Sequence, residues 1–219
     1  MQRFIASYDW VGALPAPVRE RVEARYVLAD LPAGGDICLA EDAPRHAFKI
    51  LSGYARLTRL RENGQRAIVA IYAPGHCFAE RAIIAQRPLN HTTTALVDTR
   101  VAMLPRRDFL ELYATHSEIP QALCQGFSQI IGQQASAREF DSAFKLRARI
   151  IRAFAELACG CGARRQGDYV AVDLPLTQFD LADLLDVTRQ SVQIELAALR
   201  AAGAVFKRSG AWWVRSPRQ

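Results

Sequence analysis

The sequence predicts an α+β fold in three parts: an N-terminal antiparallel β-roll of the jelly-roll kind over residues 1–116, a long helix over 117–144, and a winged helix-turn-helix over 145–219. Three observations support this. From Tyr26 to Leu104, short strands follow one another between turn signals, with little helical period among them. From about Arg106 the apolar period becomes helical. Finally, Leu176–Gly203 has the pattern of two short helices joined by three residues, with a hairpin behind them.

In the first part, Leu31-Pro32-Ala33-Gly34-Gly35-Asp36 is a turn, and Phe48–Leu51 is a buried strand ended by Ser52-Gly53. Tyr54–Leu60 alternates apolar and polar residues, the period of a half-buried strand. Asn63-Gly64 supplies a hairpin turn into a strand over Arg66–Tyr72, which Pro74-Gly75 closes. Thr92–Val97 and Val101–Leu104 complete the run. Strands at this spacing indicate a roll or barrel rather than an α/β sheet.

Arg107–Ala114 is a short helix, and Glu118–Ala158 holds one long helix or two. Ile119, Leu123, Gly126, Ile130, Gln133, Ala137, Phe140 and Phe144 fall on a seam with alternating spacings of four and three. A helix this long with one apolar edge favours a partner helix from a second subunit. The alternative is that the seam packs on the chain's own roll, since Gly126 and Gln133 suit a coiled coil poorly. Cys159-Gly160-Cys161-Gly162 ends the helix, Arg164–Asp168 is a polar loop, and Tyr169–Leu174 is a short strand.

The chain has 219 residues, 50% hydrophobic and 23% charged, which excludes disorder as its overall state. That length holds one large or two small domains, with a core that needs no metal or disulfide staple. Five scattered cysteines, an odd number without paired CxxC spacing, argue for a reducing compartment. The longest apolar run, Ala67–Ala73, is too short for a membrane span. Trp10–Val18 is a poor signal peptide, with Asp9 before it and Pro15 and Pro17 within it. A cytoplasmic protein that does not touch a membrane is expected.

The net charge of +6 is unevenly placed. Residues 1–144 hold 16 basic and 15 acidic residues, whereas 145–219 hold 12 basic and 7 acidic. Such asymmetry points to a C-terminal part that meets a polyanion, unless it reflects only the Arg-rich composition.

The C-terminal motif agrees with the charge. Thr177 caps the first helix with Asp180 three positions on, and Thr188 or its neighbour caps the second. Val192, Leu196 and Leu199 pack back on the first helix, and Gly203 ends the second. Arg189, Gln190 and Gln193 are left on an exposed N-terminal face. Arg matches the acceptor pair of guanine and Gln matches adenine when a helix enters the major groove. Lys207 and Arg208 lie at the tip of a hairpin turning at Ser209-Gly210, placed as a wing to meet phosphates; Thr177, Thr188 and Ser191 add hydroxyls near the same surface. Ile194 either contacts a thymine methyl or packs inside.

This order of parts resembles the Crp/Fnr family of bacterial transcription regulators. The resemblance spans nearly the whole chain. It lies in Leu51-Ser52-Gly53, Gly64, Pro74-Gly75 before Phe78-Ala79-Glu80, and Thr188-Arg189-Gln190-Ser191-Val192. It implies a homodimer formed through the long helix, an effector in a cyclic-nucleotide-binding-like roll, a palindromic promoter site, and contact with RNA polymerase.

It also implies an effector pocket around Ala79, Glu80, Arg81, His91 and Thr92, with Gln134 and Ala135 where the family's adenine contacts fall. Two departures argue against cyclic AMP. Ala79 replaces the cassette glycine, and His91 stands where an arginine would clamp the phosphate; a neutral imidazole cannot supply that bidentate, permanently charged contact. No cysteine precedes Cys38, so the N-terminal ligands of the iron–sulfur members are missing. His46, His76, His91, His116 and Cys77 are candidate axial ligands for haem. Gln190 and Ile194 replace residues common in the family's recognition helix, so a half-site different from the usual one is expected. Other readings stay open: a vestigial pocket with constitutive DNA binding, or a regulatory module of an enzyme that contacts protein. No nucleophile–base pair, metal spacing or phosphate loop points to catalysis in the chain itself.

Overall fold

The computed structural model describes residues 5–6, 8–60, 66–160, 164–172 and 174–215; for residues 5–6, 66, 133–134, 136–143 and 159–160 it describes the backbone alone. The Asn63-Gly64 turn and Cys161 lie outside the described residues, as do the side chains of Gln134, Ala137, Phe140 and Cys159.

The roll is built from β1 (Ile5–Ala6), α1 (Ala16–Glu23), β2 (Val27–Leu31), β3 (Asp36–Cys38), β4 (His46–Ser52), β5 (Ala55–Leu60), β6 (Arg66–Tyr72), β7 (Cys77–Phe78), α2 (Glu80–Ile84), β8 (Thr92–Ala95), β9 (Thr99–Pro105) and α3 (Arg106–Thr115). Two sheets face each other, in the orders β1-β6-β5-β8-β3 and β2-β9-β4-β7. The pairing is antiparallel except at β1, which runs parallel to β6 with Ile5 opposite Ile71. Gly53 closes the corner between β4 and β5 at φ +79, where a Cβ would sit 2.3 Å from the Asp98 carbonyl oxygen. Only glycine fits there.

Two helices in the roll go beyond the sequence reading. The prolines around Ala16 look like breakers, yet proline in a first turn starts a helix because the missing N–H has no partner to lose. The resulting α1 buries Val18 and Val22. The five-residue α2 is too short to show a period.

The helical stretch divides in two: α4 (Glu118–Ala143) and α5 (Leu146–Gly160). The second ends at Gly160, within the stretch 159–162 that the sequence marks as the end of the helix. The predicted seam is used inside the chain at its start. Ile119 and Leu123 are each 1% exposed in the roll's own core with Trp10, Phe109 and Leu112, and Ile130 packs against the same cluster. Gly126 is there for Tyr8, whose Cε2 would lie 2.0 Å from a Cβ at this position. The face left open carries Cys124, Ser128, Ile131 and Ala135, again at spacings of four and three.

The C-terminal part consists of α5, β10 (Arg165–Gln166), β11 (Tyr169–Val172), α6 (Gln178–Leu185), α7 (Arg189–Ala201), β12 (Val205–Arg208) and β13 (Ala211–Arg215), with its sheet in the order β10-β11-β13-β12. The expected polar loop at Arg164–Asp168 thus contains a strand, paired Arg165 to Val170. Its core is continuous with one face of the roll: Ile68, Ile71 and Ala73 join the same cluster as Leu181, Leu184, Leu196 and Trp212.

Candidate nucleic-acid interface and effector cavity

Local chemistry sets the helix pair. Thr177 Oγ1 accepts from the Asp180 backbone N–H at 3.2 Å, and the Thr177 backbone N–H donates to Asp180 Oδ2 at 2.7 Å, a reciprocal capping box with Asp in the third position. The Thr177 hydroxyl also donates to Asp180 Oδ2 at 2.8 Å. Both donors of Thr177 are therefore committed to the cap in the free protein. Asp186 takes the left-handed conformation, φ +52, and turns the chain in three residues into α7. Thr188 Oγ1 accepts from the Ser191 N–H at 3.1 Å, and the two hydroxyls share a hydrogen bond of 2.8 Å.

The structure places Arg189, Gln190 and Gln193 together on the exposed N-terminal half of α7, while Val192, Leu196 and Leu199 are buried. No acidic residue occupies the first turn, so the partial positive charge of the helix start is unopposed. Ile194 is 61% exposed, which settles its alternative: it lies on the surface and is not packed inside. Glu195 is held by Arg147 at 2.7 Å, away from the helix tip. In the wing, Ser209 (φ +50) and Gly210 (φ +82) form a two-residue turn, with Lys207 and Arg208 exposed just before it. Lys207 Nζ lies 5.5 Å from the Trp212 ring centroid, and Arg208 Nη1 donates to Gln166 Oε1 at 3.5 Å.

The roll holds a cavity of about 530 Å³. Ala79, Glu80, Arg81 and His91 line it, as the sequence suggested. Thr92 does not. Neighbouring strand residues face opposite sides, so Thr93 lines the cavity while Thr92 Oγ1 turns away to accept from the Ala40 N–H at 3.1 Å. Tyr8 and Phe127 close the wall beside α4; nothing periodic in the sequence marks them as cavity residues. Their rings stack with centroids 5.7 Å apart.

Glu80 is 2% exposed and accepts a hydrogen bond from Trp10 Nε1 at 2.7 Å. Burial pushes its carboxyl up to about 7, against the opposing effect of hydrogen bonds from its backbone and from Trp10. His91 is pushed below its ordinary value, first by burial and then by the cations of Arg81 and Arg59, so its imidazole is neutral at pH 7. Its Nδ1 is 2.7 Å from Asn90 Oδ1. Of the four histidines only His76 and His91 reach the cavity, His76 stacked on Tyr72 at 4.0 Å. His116 shares its two ring nitrogens with Thr115 and Arg21. Among the described residues no group of three His, Cys, Asp or Glu is gathered as a metal site, and no helix is long and apolar enough to cross a membrane.

A roll with an internal cavity, joined through a long helix to a winged helix-turn-helix, is the architecture of a one-chain transcription regulator. Residues 29–116 match the cyclic nucleotide-binding domain, and residues 148–219 match the Crp-like helix-turn-helix domain. The chain is 24% identical over 179 residues to the transcriptional activator protein FnrL of Cereibacter sphaeroides, covering 79% of this chain and 70% of that protein. It is 25% identical over 174 residues to the cyclic AMP receptor protein of Thermus thermophilus, covering 80% and 77%. The solved structure of the c-di-GMP responsive global regulator CLP of Xanthomonas campestris superposes with a TM-score of 0.77 at 16% identity, over 93% of this chain and all of that one. The chain belongs to the Crp/Fnr family of transcription regulators.

Proposed function

We propose that the chain acts as a homodimer, that it reads a palindromic promoter site, and that an effector other than cyclic AMP, held in the roll cavity, controls this binding. The observation that carries the reading is the exposed start of α7, where Arg189, Gln190 and Gln193 share one surface with a helix terminus free of acidic residues. Arg189 takes guanine, Gln190 and Gln193 take adenine, and Lys207 and Arg208 hold phosphates on the wing side. Thr188 and Ser191 present their hydroxyl pair to a phosphate near the helix start, and Thr177 contributes chiefly by capping α6.

Support for the second subunit comes from α4. Because Ile119 and Leu123 are spent inside the roll, the dimer contact is assigned to the open face of Cys124, Ser128, Ile131 and Ala135, with Ala137 and Phe140 further along the same helix. Support for an effector other than cyclic AMP comes from His91, a neutral ring where a guanidinium would have to clamp a phosphate. An effector that touches Phe127, Ile130 or Ile131 bears directly on α4, and so on the spacing of two recognition helices that must sit about one DNA turn apart. Recruitment of RNA polymerase belongs to the same reading, in line with the activator name of the FnrL relative.

The test is binding of the purified full chain to palindromic promoter fragments and to random duplexes across a salt series. A preferred fragment with a steep salt slope is expected, and the pair Lys207→Glu and Arg208→Glu should weaken binding to all duplexes and flatten that slope. Equal affinity for every duplex would sink the proposal.

A further inference from the structure

The ring of Phe179 is 59% exposed on the second residue of α6, outside that helix's buried face of Leu181, Leu184 and Leu185. A phenylalanine so placed adds little to the core. It carries the Arg189 guanidinium instead, with Cζ 4.4 Å from the ring centroid. We infer that Phe179 is a positioning residue, holding the guanidinium of Arg189 flat on its ring so that the edge of the fork is presented to guanine in the major groove. This rests on the DNA-reading role proposed above.

The geometry favours the role in three ways. Stacking occupies only the π-face of a guanidinium and leaves its in-plane N–H donors open, and these are the atoms that meet a base edge bidentately. Arg189 makes no hydrogen bond or ion pair with another described residue, and the first turn of α7 offers no carboxylate to compete for it. Moreover, Arg189 is the first residue of α7, where the helix dipole repels a cation, so the ring supplies an attraction that the helix start does not. The clamp also crosses from one helix to the other. The left-handed Asp186 turn and the packed faces of α6 and α7 fix the ring relative to the fork, which the residues of α7 alone would not do.

The experiment selects from a randomised duplex library with the full chain and four variants: Arg189→Ala, Phe179→Leu, Phe179→Tyr and Arg189→Lys. Arg189→Ala identifies the guanine position that Arg189 reads by erasing preference there. Phe179→Leu, which keeps an apolar side chain and removes the π-face, should lower guanine preference at that position about two- to fivefold. The salt slope on a fixed duplex and the melting temperature should stay at their wild-type values, because neither phosphate contacts nor the core change. Phe179→Tyr should keep the preference, and Arg189→Lys, which loses the planar fork, should lose it. Unchanged guanine preference in Phe179→Leu overturns the clamp alone. If the wild-type chain enriches no motif, or if Arg189→Ala enriches the wild-type motif, the reading of DNA by Arg189 falls and the clamp falls with it.

Discussion

Trp10 Nε1 donates to Glu80 Oε1 at 2.7 Å across 70 residues of sequence, tying the N-terminal segment to the helix that lines the roll cavity. The carboxyl is buried and pushed up to about 7, from an ordinary value of 4.5. Between those two values the folded chain keeps a proton that the unfolded chain releases. Glu80 therefore stabilises the fold relative to the unfolded chain most at low pH, and that contribution is lost as pH rises from about 4.5 through 7. The size is about 3–4 kcal/mol, from the free energy of each pKa step.

Glu80→Gln keeps an acceptor for Trp10 and removes the titration. The difference in unfolding free energy between variant and wild type, from urea denaturation at pH 5 and pH 8, should widen in the variant's favour toward pH 8. His91 is depressed and so contributes the opposite slope over part of this range. It is present in both proteins and cancels in the difference. A difference independent of pH would show that Glu80 titrates like an exposed carboxylate.

Ala79 precedes α2 at φ +77, a conformation that costs a side chain about 1–2 kcal/mol and costs glycine almost nothing. Ala79 lines the cavity, so this chain carries backbone strain on the cavity wall. Replacing Ala79 with Gly should raise the urea midpoint by the equivalent of about 0.5–1 kcal/mol once the extra freedom of the unfolded glycine is subtracted. Ala79→Val should lower it. A glycine variant less stable than wild type would contradict the assigned backbone geometry.

The parts legible in the sequence were those where local chemistry and long-range packing ask for the same thing. Thr177 with Asp180, Thr188 before Arg189, and Ser209-Gly210 are satisfied within a few residues, and the structure uses them as the sequence implies. The strand over Tyr54–Leu60 shows its pleat in its own alternation, and β5 forms there over Ala55–Leu60. What stayed hidden depends on partners far along the chain. Thr92 and Thr93 are alike as residues, and only the register of β8 against β5 decides which one faces the cavity. Tyr8 and Trp10 gain their roles from Phe127 and Glu80, 119 and 70 residues away respectively. The seam on α4 was visible as a period, but a period does not say whether a roll or a second helix covers it.

Gly126 and Tyr8 make a contact that leaves no room for a methyl group. Alanine is otherwise about 1 kcal/mol better than glycine inside a helix, so the sign of Gly126→Ala is diagnostic. Moving a packed tyrosine ring costs about 1–3 kcal/mol and should outweigh that gain. Gly126→Ala is expected to destabilise the chain by up to about 2 kcal/mol in urea denaturation, and Tyr8→Leu should cost less in that background than in wild type. Additive effects would mean that the two positions do not touch.

Ile131 is 67% exposed on α4, in line with Cys124, Ser128 and Ala135 and remote in position from the buried Ile119 and Leu123. If that face meets its copy in a second subunit, Ile131→Glu places like charges against each other at the two-fold axis. Sedimentation should then show the dimer dissociating at least tenfold more readily, equivalent to about 1.4 kcal/mol or more. The melting temperature of the monomeric roll should change little, because the side chain is in the open. Cys124 is exposed on the same face and gives a second readout: a short bismaleimide should link two wild-type chains through it, and Cys124→Ser should abolish the covalent dimer. If Ile131→Glu leaves the assembly intact while Ile119→Ala breaks it, the second subunit sits on the other side of the helix, and the roll must reorganise to admit it.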